Sequence, residues 1–141
     1  MATFTSHSPE ETEAFAARVG AAIQSECVVG LSGELGAGKT QFVKGLARGL
    51  GVRDRVHSPT FTLLNIYAGG RLPFFHLDLY RLESQEQIAG AGLEEYFSPL
   101  GVTVVEWIER WQGPKPACYR QFSFEFVSET ERRISYEHSG A

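Results

Sequence analysis

The sequence has few cysteines and no long apolar run. Two of its 141 residues are cysteines, Cys27 and Cys118, and their positions do not have metal-ligand spacing. We expect two ordinary buried thiols rather than a disulfide or a metal pair. No apolar run approaches the roughly 18 residues that a membrane span needs, and the first residues contain no apolar signal-peptide core. The composition therefore predicts a soluble, cytoplasmic protein that makes no membrane contact.

The chain also lacks an excess of positive charge. It has 13 Lys and Arg against 17 Asp and Glu, a formal net charge of −4. That balance argues against broad, charge-driven binding of nucleic acid, although it is compatible with one local anion site. Apolar residues make up 43% and charged residues 21%, which is ordinary globular usage. We predict a single domain, residues 1–141, that needs no structural metal for stability.

One short stretch is rich in glycine. "GELGAGKT", residues 33–40, fits the pattern G-x-x-x-x-G-K-[ST], which a random position matches about once in 30,000. It follows the apolar, β-forming run "CVVGLS" and precedes Phe42, Val43, Leu46 and Leu50, which have helical spacing. The motif therefore lies between a predicted strand and a predicted helix, as a phosphate-binding loop does.

The chemistry of such a loop explains its residue types. Glycines let successive backbone N–H groups point inward, and the helix start that follows favours negative charge. Lys39 supplies a mobile positive charge for the β- and γ-phosphates, and the Thr40 hydroxyl is a ligand type for Mg²⁺. The alternative is a glycine-rich turn with an exposed lysine. The predicted phosphate-binding residues are Glu34, Leu35, Gly36, Ala37, Gly38, Lys39, Thr40 and Gln41.

Two acidic residues follow apolar, β-forming runs. Asp78 ends "FFHLD" and Glu106 ends "VTVVE". Because a phosphate loop needs an acid for magnesium near a strand end, we expect one carboxylate on the metal and the other near the attacking water. The alternative for each is a solvated carboxylate at a strand end. Trp107 follows Glu106, and we expect it in the core rather than over the site.

A third segment, "HSPTFTL" at residues 57–63, has hydroxyls on both sides of a proline. Such a segment can sense the γ-phosphate as switch loops do, and Thr60 is its candidate residue; the alternative is a turn into a strand. His57 and His76 receive no catalytic role.

The remaining patterns predict the fold class. Ser8, Pro9 and Glu11 predict the start of a helix over residues 9–24, after a strand at 3–6. Residues 60–82 predict a hairpin that turns at Gly69 and Gly70, Ser84 caps a short helix, and two alternating runs form a closing hairpin. We predict an α/β fold of the P-loop NTPase type, a mixed β-sheet flanked by helices, with β-hairpins. The strand order does not follow from these patterns.

Five motifs occur together in this order: "GELGAGKT", "SPTFTL", "HLDLYRL", "GLEEYF" and "VEWIER". This set, over roughly residues 8–111, resembles the bacterial TsaE family of small ATPases, which are required to form N6-threonylcarbamoyladenosine in tRNA. The resemblance implies binding of ATP or ADP with Mg²⁺, slow hydrolysis of ATP, and association with the partner proteins TsaB and TsaD. TsaD transfers the threonylcarbamoyl group to adenosine 37 of tRNAs reading codons that begin with A, so contact with tRNA is indirect.

The resemblance also implies residue roles. Lys39 and Thr40 match the phosphate and metal positions, Glu106 matches the magnesium acid, and Asp78 matches the acid needed for hydrolysis, through placement of water.

Other matched positions concern the nucleotide. Thr60 matches a switch-like position near the phosphates, and Thr12 lies where the family contacts the base. Gln41 stands where the family commonly has a second threonine, but its backbone N–H can still serve a phosphate. No arginine in the motifs is an evident arginine finger, the side chain that stabilises transition-state charge in phosphoryl transfer. Its absence agrees with slow hydrolysis.

Two other functions use the same loop. A small-molecule kinase would need a second substrate pocket and usually an arginine-bearing lid segment, and the motifs suggest neither. A non-hydrolytic, nucleotide-dependent assembly factor would bind ATP through Lys39 while its hydrolysis remained incidental.

Overall fold

The computed structural model describes residues 2–33, 38–53, 56, 63–97 and 101–139. In chain order the helices and strands are β1 (Ala2–Ser6), α1 (Pro9–Ala22), β2 (Cys27–Gly33), α2 (Lys39–Gly49), β3 (Leu64–Tyr67), β4 (Phe74–Asp78), α3 (Gln85–Gly90), β5 (Val102–Glu106), β6 (Tyr119–Ser128) and β7 (Glu131–Ser139). Short 3₁₀ turns lie at Glu94–Phe97 and Ile108–Arg110.

Within these ranges the strands form one sheet in the order β1-β7-β6-β2-β5-β4-β3. The four strands β6, β2, β5 and β4 run parallel to one another. Antiparallel pairs close both sides, β3 on β4 and the β6–β7 hairpin with β1 at its outer edge. The predicted mixed α/β fold with hairpins is confirmed, and the parallel centre brings the carboxyl ends of β2, β5 and β4 to one edge.

Side chains alternate across the sheet, and the two sides are covered differently. On the side that we call the helix face, α1 and α2 cover a core that includes Phe15, Phe42 and Phe122. On the opposite face, α3 and the 3₁₀ turns cover a smaller cluster in which the rings of Phe97 and Trp111 stack 3.8 Å apart. The two buried clusters explain why the central strands are apolar almost throughout.

Helix α1 begins as the sequence predicts. The Ser8 hydroxyl accepts a hydrogen bond from the Glu11 N–H at 3.1 Å, and the Glu11 carboxylate accepts one from the His7 N–H at 2.8 Å. These two bonds satisfy backbone donors at the helix start. Helix α2 packs closely along α1, because the glycine at position 45 brings its backbone against Glu13 and Ala16.

The hairpin of β3 and β4 is confirmed, but its predicted two-residue turn at Gly69 and Gly70 is wrong. The ladder ends at the pair Tyr67↔Phe74, so residues 68–73 form a longer connection. This connection packs on the carboxyl ends of the helices: the Arg71 guanidinium donates to Gly20 O at 2.9 Å and Ile23 O at 3.1 Å. Docking on the helix ends, rather than a tight turn, determines its length.

The prediction of two separate thiols is also wrong, because Cys27 and Cys118 form a disulfide with Cα atoms 4.9 Å apart. The cysteines are 91 residues apart in the chain. They meet because β2 and β6 are parallel neighbours whose register begins at Val28↔Tyr119. Distance along a sequence does not report which strands pair. Among the described residues, no helix is long and apolar enough to cross a membrane.

Candidate functional site

Three strand ends meet at one edge of the sheet. Strand β2 ends at Gly33, β4 at Asp78 and β5 at Glu106. In the parallel register Leu31 pairs with Glu106, and Glu106 pairs with Asp78. Asp78 and Glu106 therefore lie side by side on the helix face, at the carboxyl ends of adjacent strands. In open α/β sheets this edge is where ligands bind.

Lys39 is the first residue of α2 and lies in the same place. Its side chain is buried, and its Nζ donates to Gly33 O at 2.8 Å and lies 4.3 Å from the centre of the Trp107 ring. Burial lowers the pKa of Lys39, while the negative charges of Glu106, Glu109 and Asp78 act in the other direction. A helix start, a desolvated ammonium group and the end of a central strand thus converge.

Trp107 lies at this site as well as against the core. It is half-buried, packs on the cluster of the opposite face, and has a left-handed backbone with φ of 62°. Such a conformation is uncommon for a bulky residue and is often found at functional sites. Its ring also packs against exposed Tyr80, with centroids 5.0 Å apart and ring planes tilted by 44°. The core position that we expected accounts for only part of its surroundings.

The two carboxylates are held by different partners. Asp78 accepts a hydrogen bond from the Tyr80 N–H at 3.0 Å. Burial raises the pKa of Asp78, an effect that this hydrogen bond opposes. Glu106 is hydrogen bonded through Oε2 to Nε2 of His76 at 2.6 Å. Two buried acids therefore lie beside a buried lysine. Buried titratable groups of this kind cluster at functional sites.

A cavity of about 400 Å³ opens beside these residues. Six predicted or matched site residues line it together with six others that the sequence did not indicate as lining residues. Asp78 is not among the lining residues. The predicted set is Thr12, Gly38, Lys39, Thr40, Gln41 and Glu106, and the additional set is His7, Ser8, Pro9, Glu129, Thr130 and Arg132.

The additional lining residues come from the entry to α1, from the turn between β6 and β7, and from the start of β7. The guanidinium of Arg132 lies 4.3 Å from the centre of the Phe126 ring and donates to Ser128 O at 2.6 Å. In the sequence this segment shows only strand alternation, and no motif indicates a site. The structure brings it to the cavity because β7 pairs with both β6 and β1.

His76 also lies beside the site although no sequence motif assigned it a role. One signal was present, since His76 precedes Asp78 by two residues and so lies on the same side of the strand. The predicted residues Glu34, Leu35, Gly36, Ala37 and Thr60 lie outside the described residues.

The donor set suits a hard cation. Glu106, which carries a carboxylate, and Thr40, which carries a hydroxyl, line the same cavity. Mg²⁺ favours oxygen ligands from one or two protein groups together with phosphates and water. Among the described residues, those of this site included, no three or more His, Cys, Asp or Glu side chains form a cluster that could hold a metal. The residues present therefore fit magnesium bound with a phosphate ligand better than an all-protein metal cage.

The fold and the site together define a class of protein. Its members have a mixed β-sheet flanked by helices, and one helix begins at a buried lysine beside strands that end in acidic residues. The sequence profile of the family described as "Threonylcarbamoyl adenosine biosynthesis protein TsaE" matches residues 6–134. The chain therefore belongs to the TsaE family, whose members act in formation of threonylcarbamoyladenosine in tRNA.

Individual relatives agree. The chain is 41% identical over 132 residues to the "tRNA threonylcarbamoyladenosine biosynthesis protein TsaE" of Bacillus subtilis strain 168, covering 94% of this chain and 82% of that protein. It is 42% identical over 130 residues to the protein of the same name from Treponema pallidum strain Nichols, covering 92% and 96%. The crystal structure of Bacillus subtilis YdiB superposes with a TM-score of 0.81 at 36% identity, covering 99% of this chain and 86% of that one.

Proposed function

We propose that this chain binds ATP and ADP with Mg²⁺ and hydrolyses ATP slowly, and that this nucleotide cycle supports formation of threonylcarbamoyladenosine at adenosine 37 of tRNA. The observation that carries the proposal is Lys39, a buried ammonium group at the start of α2 that lines a cavity with Thr40 and Glu106. A helix start with such a lysine is a site for an anion of high charge, which a polyphosphate provides.

Four of the lining residues then have a role. When nucleotide binds, Lys39 gives up its hydrogen bond to Gly33 O and binds the β- and γ-phosphates instead. The N–H groups at the start of α2 bind the same phosphates. Thr40 and Glu106 hold magnesium, which neutralises phosphate charge and orients the phosphates when it is bound. Thr12 lines the cavity on the side of α1, where we place the base. The cavity volume of about 400 Å³ lies within the range of small-molecule sites.

Asp78 acts on water rather than on the metal. Its carboxylate is buried beside Glu106 in the register but does not line the cavity. Glu106 lines the cavity with Thr40, so it is the better magnesium ligand of the two acids. Asp78 is then the group that orients or accepts a proton from the attacking water, the second role that phosphoryl transfer requires.

Membership of the family supports a proposal about the partners. We propose that the chain works in the cytoplasm with TsaB and TsaD type proteins, that TsaD carries out the transfer, and that tRNA is reached through that complex. The net charge of −4 supports an indirect rather than a direct tRNA contact.

The test is reconstitution of tRNA threonylcarbamoylation from the other components, with and without this protein. We expect repeated turnover to require the chain together with ATP and magnesium. Equal turnover without the chain would contradict the proposed role. Calorimetry with Mg·ATP and Mg·ADP tests the binding step separately, and no association by the folded protein, alone or with its partners, would contradict nucleotide binding itself.

A further inference from the structure

His76 contacts a proposed magnesium ligand without lining the cavity itself. It lies on β4, where it pairs with Val104 of β5, and Glu106 is two residues further along β5. His76, Val104 and Glu106 lie on the helix face because residues two apart on a strand share a face. The imidazole is therefore directly behind the Glu106 carboxylate, on the side away from the strand ends.

The contact between them is short and buried. His76 Nε2 and Glu106 Oε2 are 2.6 Å apart, and the two side chains are 0% and 9% exposed. A hydrogen bond to a carboxylate in such surroundings is stronger than one between neutral groups and is little weakened by solvent. The bond occupies Oε2 and leaves Oε1 for a ligand in the cavity.

The rest of the imidazole ring gains little from its burial. An ionised carboxylate can only accept, so Nε2 is the donor in this bond. Nδ1 is buried and has no hydrogen-bond partner among the described residues. A buried polar atom without a partner costs stability, and an apolar side chain would fill the same space without that cost. The hydrogen bond to Glu106 is therefore what distinguishes histidine from leucine at this position.

We propose that His76 is a positioning residue that holds the Glu106 carboxylate in the orientation needed to bind magnesium. The proposal rests on the nucleotide and magnesium binding proposed above. Carboxylates that ligate metals are commonly hydrogen bonded by a neighbouring side chain, and loss of that neighbour lowers metal affinity. His76 is such a neighbour and belongs to the sheet itself. The orientation of Glu106 is therefore fixed before any ligand enters.

The experiment measures the affinity of a fluorescent ADP analogue over a range of magnesium concentrations. His76→Leu removes the donor, and we expect the magnesium concentration at half-maximal effect to rise by about 10- to 100-fold. ADP binding without magnesium should stay unchanged. His76→Gln keeps an N–H donor at a similar reach and should restore most of the response. Thr103→Val is the matched control, because Thr103 is equally buried and unpartnered in the described structure but lies on the opposite face.

Two results would overturn the inference while nucleotide binding stands. One is a His76→Leu protein with the magnesium response of the wild type, and the other is an equal loss of ADP affinity with and without magnesium. If His76→Leu does not fold, His76→Gln is compared with His76→Asn, whose amide is too short to reach Oε2. A shifted response in the Asn variant alone supports the inference, and identical responses overturn it. A wild-type protein that binds no ADP overturns the proposed function, and this inference with it.

Discussion

The two faces of the sheet are built from the same strands but are covered and used differently. On the helix face, α1 and α2 pack together over a core rich in phenylalanine. On the opposite face, α3 and two 3₁₀ turns complete a smaller core. The charged site lies on the helix face, where Asp78 and Glu106 end their strands beside Lys39. On the opposite face Thr103 is buried without a hydrogen-bond partner in the described structure.

The difference shows that a strand end alone does not make a site. Every parallel strand brings its carboxyl end to the same edge, yet reactive groups gather where a long helix also begins. Helix α2 starts at Lys39, next to the end of β2. Its aligned peptide groups favour an anion there, and the two acids for which we propose roles lie beside that position.

The largest expected effect concerns hydrolysis on the helix face. In Asp78→Asn, we expect ATP hydrolysis to slow by about 100-fold or more, because the group that we place beside the attacking water loses its charge. ATP affinity should stay near that of the wild type. Single-turnover hydrolysis and calorimetry measure the two quantities. Glu83→Gln, at an exposed acid just beyond β4, is the control. A loss of ATP affinity in Asp78→Asn as large as its loss of hydrolysis would contradict the proposed role.

The next effect concerns nucleotide affinity. Lys39→Ala should weaken binding of Mg·ATP by about 10- to 100-fold, since charge-assisted hydrogen bonds to the phosphates are lost. Lys44→Ala removes an exposed lysine from the same helix and should leave affinity unchanged. Calorimetry compares the two proteins. If both lysines matter equally, general attraction by the helix explains binding, and the buried position of Lys39 does not.

Packing on the two faces can be compared through two glycines. A Cβ at position 45 would press on the backbone of Glu13, where α1 and α2 meet, while a Cβ at position 90 in α3 meets nothing within 4 Å. Gly45→Ala should lower the free energy of unfolding by about 1–3 kcal/mol. Gly90→Ala should change it by no more than about 1 kcal/mol, and towards greater stability. Denaturant unfolding measures both, and equal effects would remove the contrast between the faces.

The smallest effect is a change of stability with pH. Burial raises the pKa of Asp78, so the folded protein binds this proton more tightly than the unfolded chain does. Stability therefore falls as pH rises from the ordinary carboxyl pKa through the raised one. Asp78→Asn should be more stable than the wild type at neutral pH, and the gain should vanish in acid, where both states are protonated. Thermal melts across pH test this, and a gain that persists in acid would contradict it.

Local patterns predicted much of the fold and several of the residues that meet at the candidate site. The cap at Ser8, the helical spacing of Phe42 and Leu46, and the acids that follow apolar runs are short-range signals, and each element that they predicted is present. The partners of these elements were not predictable, because strand order and register depend on contacts between distant residues. Arg132 reaches the cavity only through the pairing of β7, and His76 reaches Glu106 only through the register of β4 and β5.

The disulfide has a covalent consequence for the whole molecule. By joining Cys27 to Cys118 it closes a ring of backbone that contains Lys39, Asp78 and Glu106, while α1 and β7 lie on the two tails outside it. A single protease nick anywhere in that ring leaves both fragments attached. Such a nicked protein should migrate as one species on a denaturing gel and separate into two pieces only after a reductant is added.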